Sequence, residues 1–217
     1  MPNWCDNQLT VFGEKRDFKK FKKLVASCGI ERELIGIDDS GEPIYEEKKI
    51  KHIFDFNSIL PMPQELEGTS SPPREKDKKL TIELKKKFGH GDWYSWREEN
   101  WGTKWNTNPK WSSCTIERTI IPDDPISKIK YKDIVKLIYS FRTAWTPPIP
   151  VIKEAAKNFP MLLFKLSYEE YVSGWEGCLI CQKREVILDI IEESDLDWRR
   201  TTSDCQITTV VRPTRFF

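Results

Sequence analysis

The sequence predicts an α+β fold, and three of its features support that prediction. Apolar residues recur at helical spacing in residues 14–27 and 151–159. Strand-like stretches stand before and after each of these segments, so the chain divides into two β–α–β units. A long insertion rich in tryptophan separates the units at about residues 61–111. Two such units, with helices on one face of an antiparallel sheet, form a ferredoxin-like architecture.

The first unit begins with a strand at residues 8–13, which ends at Gly13. The helix that follows turns its lysines to one face and stops near Cys28–Gly29. Residues 30–49 predict an excursion with a turn at 38–41. Residues 50–60 then supply the second strand of the unit.

The insertion contains two predicted helices. Residues 65–79 are polar and contain prolines, which indicates a surface loop, and residues 80–88 predict a basic helix. Asp92 is a suitable N-cap for a further helix that ends at Gly102. On that helix we expect the tryptophans to share one side and the charged residues to face water, that is, Trp93 and Trp96 against Arg97, Glu98 and Glu99.

The second unit has clearer boundaries. Residues 111–121 and 134–145 predict strands, although the apolar spacing from Ile134 to Phe141 would also suit a helix up to Tyr139. Thr146 is a suitable N-cap, and Pro147 a suitable first helical residue, for the helix at 151–159.

The end of the chain predicts further strands. Residues 161–170 and 175–186 form a hairpin, and residues 206–211 form a last strand. We therefore predict one ferredoxin-like domain at residues 1–188 and a C-terminal extension at residues 189–217.

Composition limits the function classes. The 35 Lys and Arg residues nearly balance the 34 Asp and Glu residues, which leaves a formal net charge of +1. A general attraction to nucleic acid or to anionic lipid is therefore absent, and only local basic clusters such as Lys19–Lys23 and Lys85–Lys87 could supply one. The sequence shows no basic and apolar leader and no apolar run of membrane-spanning length, so we expect a soluble, cytoplasmic protein.

Cysteine and histidine offer little for metal or redox chemistry. Cys178 and Cys181 have the spacing of a zinc knuckle or a redox pair, but a zinc site needs a second pair, so packing is the favoured interpretation. His52 and His90 are the only histidines, and we expect His90 to lie in a solvated turn. We predict no metal and no cofactor.

Five tryptophans stand within residues 93–111. Indole rings bury a large area, so they either anchor a core or form a recognition surface. We predict core anchoring for most of them, with Trp101 and Trp105 packed beneath the sheet and the Lys104 ammonium reaching water.

Polar residues near these rings form the candidate binding site. Three of them stand in the loop after Gly102, and three more stand where the strand at 134–145 ends. Asn3, Trp4 and Asn7, which precede the first strand, could complete the cluster, or merely fasten the N-terminal segment. The candidate binding residues are Asn3, Asn7, Thr103, Lys104, Asn106, Arg142, Thr143 and Trp145.

Carboxylates on the hairpin give an enzymatic alternative. Glu169 and Glu170 have Glu176 across the hairpin, and paired carboxylates can perform acid–base chemistry. A solvated edge that discourages pairing with another sheet is the favoured interpretation. A hydrolase would require Glu169, Glu170 and His90 to converge on one cleft.

Six blocks of the sequence carry a resemblance: PNWCDNQLTVFG, FNSILPMP, WYSWREENWGTKWN, FRTAWTPPIP, NFPMLLFKLSYEE and GWEG. Their order resembles the YubB/Api-like family of phage- and plasmid-encoded proteins, a domain of unknown function, over about residues 1–185. The resemblance implies a ferredoxin-like fold and a mobile-element origin, and it implies no catalytic residues.

We therefore expect a non-enzymatic accessory protein of a phage or other mobile element that binds a macromolecule. A host or phage protein is the expected partner, and inhibition of a host-defence component fits by analogy. Nucleic-acid binding through the sheet face and the basic helices is the alternative. A carboxylate-dependent hydrolase is the weaker one.

Overall fold

The structure is a computed structural model, which describes residues 2–37, 43–118, 135–193 and 209–211. Within these residues the main sheet has seven strands, each antiparallel to its neighbours, in the spatial order β4, β5, β1, β6, β7, β8, β9. The strands are β1 (Trp4–Gly13), β4 (Ser113–Arg118), β5 (Val135–Ala144), β6 (Leu163–Glu170), β7 (Trp175–Gln182), β8 (Glu185–Glu193) and β9 (Thr209–Val211).

A second, two-stranded sheet stands apart from the first. It is a hairpin of β2 (Ser27–Ile37) and β3 (Pro43–His52). The helices of the described residues are α1 (Lys15–Val25), α2 (Phe56–Ile59), α3 (Lys78–Phe88), α4 (Trp93–Trp101) and α5 (Ile149–Asn158).

The centre of the main sheet is a split β–α–β unit. Strands β5 and β6 both pair with β1 in antiparallel fashion, so they run parallel to each other with β1 between them. Helix α5 makes the crossover from β5 to β6. This arrangement confirms the predicted α+β fold with an antiparallel sheet.

The core lies on one face of the sheet. Alternate residues of β1 turn Cys5, Leu9 and Val11 inward, where each is fully buried. The ring of Phe21 on α1 meets the rings of Tyr139 and Phe164 on two strands at centroid distances of 6.1 and 5.3 Å. The helices are held to this face by apolar burial, and the intervening residues of each strand face the opposite side.

The local signals at helix ends predicted α3 and α4 well. The Asp92 carboxylate accepts hydrogen bonds from the backbone N–H groups of Tyr94 and Ser95 at 2.9 and 3.0 Å, which confirms it as the N-cap of α4. Gly102 ends α4 in the left-handed conformation, with φ of 77°. The hairpin of β6 and β7 is also confirmed.

The predicted strand at residues 50–60 is wrong. Strand β3 ends at His52, and α2 follows with the Asp55 carboxylate as its N-cap. The apolar residues Phe54, Phe56 and Ile59 gave this segment a strand-like pattern. All three are buried because the turn that contains them folds into the core. The turn predicted at residues 38–41 lies outside the described residues.

Three other boundaries differ from the prediction. The predicted loop at 65–79 contains two 3₁₀ turns, Gln64–Leu66 and Glu75–Asp77. Pro148, not Thr146, precedes α5, since the Thr146 hydroxyl donates to the carbonyl of Gly102 instead. The C-terminal extension was predicted to begin at residue 189, and strand β8 pairs with β7 on both sides of that position.

Candidate functional site

The face of the main sheet that lacks the helices carries a groove of about 750 Å³. Its floor includes a row of small polar side chains that crosses five neighbouring strands in register. These side chains alternate along each strand with residues that point into the core. The row consists of Ser113, Ser140, Gln8, Ser167 and Cys178.

A second row, beside the first, is charged. Arg142, Asp6, Glu169 and Glu176 stand opposite one another on β5, β1, β6 and β7. The Arg142 Nε donates to Asp6 Oδ1 at 2.6 Å. Glu169 accepts a hydrogen bond from the Tyr171 hydroxyl at 2.6 Å, and in the part of the chain that the structure describes neither Glu169 nor Glu176 forms an ion pair. The groove floor is therefore acidic at one end.

The edge interpretation of these carboxylates is wrong. Strand β6 pairs with both β1 and β7, and β7 pairs with both β6 and β8, so neither is an edge. Glu169 and Glu176 face each other directly within the sheet. Like charges at directly opposed positions destabilise a sheet, and protection of an edge cannot be the reason for them here.

Tryptophans form the rim of the groove at its β4 side. The Trp111 side chain lines the groove and is 48% exposed. Its ring meets that of Trp4 edge-on at 5.0 Å, Trp4 lies 6.0 Å from Trp105, and Trp105 stacks on Trp145 at 6.2 Å. We call these four residues the indole line. It connects the groove with the end of β5.

The tryptophans before Gly102 differ in burial from those after it. Before it, Trp96 and Trp101 are buried as predicted, and the Trp101 indole N–H donates to the carbonyl of Leu60 at 2.8 Å. After it, Trp105 is only half-buried and Trp111 is exposed, so the prediction that Trp105 lies beneath the sheet is wrong. The reversed chain direction at a left-handed residue turns the later rings toward the surface.

Arg97 does not face water as predicted. Its guanidinium lies over the rings of Trp93 and Trp101, at 5.1 and 4.7 Å from their centroids. The three residues follow one another at i, i+4 spacing on α4, which brings them to one side of the helix. Burial lowers the pKa of Arg97, and the nearby Glu67 carboxylate opposes that effect.

Lys104 lies at the far end of the indole line from the groove. Its ammonium nitrogen is 4.8 Å from the Trp105 ring centroid, 5.3 Å from that of Tyr94, 5.4 Å from that of Trp145 and 5.9 Å from that of Trp93. The ammonium is therefore surrounded by aromatic rings on several sides.

Trp145 has an unusual backbone. Its φ is 65°, a left-handed conformation that costs a residue with a Cβ atom about 1–2 kcal/mol. Its N–H donates to the carbonyl of Asn3 at 2.9 Å, and the Thr143 hydroxyl donates to the carbonyl of Thr146 at 2.8 Å across the turn. These hydrogen bonds hold the strained residue, whose side chain stays 38% exposed.

The structure brings most of the predicted binding residues to this corner, but several have their polar groups occupied. The Asn7 amide donates to the carbonyl of Cys5 and to the Thr143 hydroxyl at 2.9 and 2.8 Å, and the Thr103 hydroxyl donates to the carbonyl of Ala144 at 2.9 Å. Asn7, Thr103 and Thr143 are buried. Of the predicted set, Arg142 and Trp145 are exposed, and Asn3, Lys104 and Asn106 are half-buried.

Asn106 holds the start of α2. Its Oδ1 accepts from the backbone N–H groups of Phe56 and Thr107 at 3.0 and 2.9 Å, and its Nδ2 donates to Asp55 Oδ1 at 2.6 Å. Burial alone would raise the pKa of Asp55, but hydrogen bonds from Ser27, Asn106 and Ser58 outweigh it and hold that pKa below its usual 3.8.

We expect Asn106→Ala to lower the free energy of unfolding at neutral pH by about 2–3 kcal/mol, because it leaves two N–H groups without their acceptor and removes one of the hydrogen bonds that the Asp55 carboxylate accepts. A carboxylate with a lowered pKa stabilises the fold above its unfolded pKa and loses that contribution as pH falls through the folded pKa. The difference between wild type and variant should therefore shrink below about pH 4.

Urea unfolding at a series of pH values measures this effect. Asn108→Ala, which removes only the bond from the side chain to the Lys110 N–H, is the matched control and should cost less than half as much. An equal loss for both variants would contradict the structural role of Asn106.

The hydrolase alternative has no converging set. Glu169 faces the groove, whereas Glu170 is buried and accepts from the backbone N–H groups of Val172 and Ser173, both at 2.8 Å. His90 pairs with Glu99 at 3.2 Å and is largely buried, so the prediction of a solvated histidine is wrong. Alternation along β6 separates the first two carboxylates.

The thiols differ in burial: Cys5 and Cys181 are buried, Cys28 is exposed, and Cys178 lines the groove. Among the described residues, every cysteine is free: Cys5, Cys28, Cys114, Cys178 and Cys181. Burial raises the pKa of Cys5 to about 12 and that of Cys181 to about 11, which suppresses thiolate chemistry at both. The described residues contain no group of three or more metal-ligating side chains suited to an ion.

Sequence reasoning missed the groove floor. It selected Arg142 and Glu169, but not Asp6, Gln8 and Ser140. A partial signal was present in β5, where Ser140 stands between the apolar residues Tyr139 and Phe141, but in β1 the polar run Asp6 to Gln8 hides the alternation. Only the strand order shows that these positions meet.

Comparison with known proteins bears on the fold. Residues 127–210 match the model of a family described as "Ferredoxin-like domain in Api92-like protein". This match supports the resemblance of residues 127–210 to the Api92-like family. The Api92-like segment includes β5, α5, β6, β7 and β8, and with them two strands of the split β–α–β unit.

A crystal structure of a protein api92 from Yersinia pseudotuberculosis is similar to this chain, with a TM-score of 0.51 and 10% sequence identity. The superposition covers 86% of this chain and 96% of the other. At this identity the likeness concerns the fold alone, and it extends beyond the matched segment. No curated protein matches the sequence. Each helix in the described part of the chain is too short or too polar to span a bilayer.

Proposed function

We propose that this protein is a non-enzymatic accessory protein of a phage or other mobile element, and that it binds an extended, basic segment of a host or phage protein in the groove. The opposed pair Glu169 and Glu176 carries this proposal. The mobile-element context follows the family resemblance, and a host-defence component is the partner class that this context favours.

The shape of the groove suits a peptide segment. Its volume of about 750 Å³ is within the range of ligand sites, and its floor crosses five strands. Hydroxyl and amide groups on the floor, such as those of Gln8, Ser140 and Ser167, can pair with the polar groups of a bound backbone.

The charge of the groove selects the side chains of that segment. Glu169 and Glu176 repel each other at directly opposed positions, and a lysine or arginine bound between them would relieve that repulsion. Asp6 is already neutralised by Arg142, so these two glutamates are the carboxylates that remain for a partner. Charge complementarity therefore favours a basic segment.

The exposed Trp111 ring adds an apolar anchor at the rim. Half-exposed tryptophans at the edge of a polar groove are typical of residues that dominate the energy of an interface. A partner that covered Trp111 would also cover part of the indole line.

The same charges disfavour nucleic acid on this face. Lys110 and Arg142 also line the groove, but Arg142 is paired with Asp6, and a phosphate backbone that ran the length of the groove would meet Glu169 and Glu176. The clusters Lys19–Lys23 and Lys85–Lys87 belong to helices α1 and α3. Binding of a single strand would therefore have to use another surface.

A defined peptide tests the proposal. The probe is a twelve-residue peptide of alternating lysine and threonine. The control peptide has glutamate in place of lysine. Binding is measured by titration and by the changes in amide chemical shifts. We expect the lysine peptide to shift the amides of β1, β6 and β7 around the groove. Replacing both glutamates, Glu169→Gln with Glu176→Gln, should weaken binding about tenfold or more, because two charge-assisted contacts are lost.

The matched control is Glu14→Gln with Glu83→Gln, which changes the net charge equally at exposed positions on α1's N-cap and on α3. It should bind the peptide as the wild type does. Equal weakening by both pairs, shifts confined to the helices, or preference for a labelled oligonucleotide over the peptide would overturn the proposal. Proteins retained from host or phage lysate by wild type and control, and lost by the groove variant, identify the source of the partner.

A further inference from the structure

The rings around Lys104 form an aromatic cage at the end of β5. Its members come from two parts of the insertion and from the strained residue after the strand: Trp93, Tyr94, Trp105 and Trp145. In the residues that the structure describes, the Lys104 ammonium donates no hydrogen bond and forms no ion pair. Aromatic faces are thus its protein contacts.

The distances show how large a cation the cage can hold. A methyl carbon in contact with a ring lies about 3.5–4.0 Å from the ring carbons, and a carbon–nitrogen bond adds about 1.5 Å. A methylated ammonium nitrogen therefore lies at about 5.0–5.5 Å from the rings. The nitrogen of Lys104 lies 5.3, 5.4 and 5.9 Å from the ring centroids of Tyr94, Trp145 and Trp93, which leaves space for a methyl group toward each of these three rings. It lies 4.8 Å from the Trp105 centroid, slightly closer than that spacing.

Hydrogen bonding points the same way. A primary ammonium has three N–H donors, and rings satisfy them poorly, whereas a quaternary ammonium has none to satisfy. A cage made of rings, without a carboxylate partner for its cation, therefore suits a quaternary ammonium better than the lysine that it holds.

The backbone of Trp145 supports a binding role. The left-handed conformation of this residue is costly, and it places the ring against Trp105 and near Lys104 while 38% of the side chain stays exposed. Core packing alone does not account for a strained residue with an exposed side chain.

We propose that Trp93, Tyr94, Trp105 and Trp145 form a site for a quaternary ammonium group, and that Lys104 occupies this site when no ligand is bound. Lys104 is then a competing internal occupant, and the apparent affinity for a ligand is reduced by the fraction of molecules in which it fills the cage. The inference does not depend on the groove, since none of the four rings lies in the groove's charged row.

The probes are tetramethylammonium, choline and 3,3-dimethylbutan-1-ol, a neutral isostere of choline. Binding is measured by tryptophan fluorescence and by the NMR shifts of the Lys104 ε-methylene group. In the wild type, tetramethylammonium should move the ε-methylene resonance from its ring-shifted position toward that of a free lysine. Lys104→Ala should bind tetramethylammonium about tenfold more tightly than the wild type, because the competitor is removed. Choline should bind, and the isostere should not.

Trp145→Leu and, separately, Tyr94→Leu in the Lys104→Ala background should each abolish this binding, and two single-ring variants keep the test valid if one fails to fold. Glu169→Gln with Glu176→Gln should leave it unchanged, which separates this site from the groove. A peptide with trimethyllysine, compared with the same peptide unmethylated, decides whether the source is a modified protein or a small molecule. Equal binding of choline and its isostere, no gain in Lys104→Ala, or no loss in either ring variant would overturn the proposal.

Discussion

Trp101→Ala should lower the free energy of unfolding by about 3–5 kcal/mol, the cost of removing a large buried aromatic side chain. The Trp101 ring is 1% exposed and meets the rings of Phe56 and Trp96, both at 5.9 Å. Its loss would also leave the Leu60 carbonyl without its donor and uncover the Arg97 guanidinium. Several elements of the insertion therefore depend on this one ring.

Chemical denaturation of the variant measures this cost, and Trp111→Ala is the control. The Trp111 ring is 48% exposed and belongs to the rim of the groove. Its removal should cost about 1 kcal/mol or less, as for other surface changes. Similar losses for the two variants would contradict the division of the tryptophans at Gly102.

Gly102→Ala should lower the free energy of unfolding by about 3 kcal/mol, through left-handed strain of about 1–2 kcal/mol and a steric clash of similar size. The φ of Gly102 is 77°, and a Cβ atom there would lie 2.8 Å from Pro150 Cδ and 3.0 Å from the Pro147 carbonyl oxygen. The end of α4 is in this way pressed against the start of α5.

Gly89→Ala separates the two contributions. Gly89 ends α3 with a φ of 81°, and a Cβ atom there would meet nothing within 4 Å. This variant should show the strain alone and cost about 1 kcal/mol. If Gly102→Ala cost no more than Gly89→Ala in thermal and urea unfolding, the close contact with α5 would be unimportant.

The parts of the fold that depend on local chemistry could be predicted from the sequence. Asp92 and Gly102 mark the ends of α4 because a capping carboxylate and a left-handed glycine act within a few residues. The alternating residues of β1 likewise show which side chains enter the core. The fold class followed from such signals.

The parts of the fold that depend on pairing between distant segments could not be predicted from the sequence. Whether Glu169 stands at an edge is decided by the pairing of β6 with β1, more than 150 residues earlier in the chain, and no local pattern contains that information. The strand prediction for residues 50–60 was wrong for a related reason. Phe54 and Phe56 are buried by rings from the distant strand β5, which the local sequence does not reveal. The hydrogen bonds of Asn106 to Phe56 and Asp55 also join distant segments, and the sequence does not show them.

The position of β1 has a consequence for synthesis of the chain. Leu9 pairs with Tyr139 on one side and with Leu166 on the other, so both neighbours of the central strand leave the ribosome long after it does. Until then the nascent polypeptide exposes a β-prone segment with both edges open, and such segments associate readily with other chains. Rapid completion of translation, or a chaperone that shields the first residues, would favour a high yield of native protein.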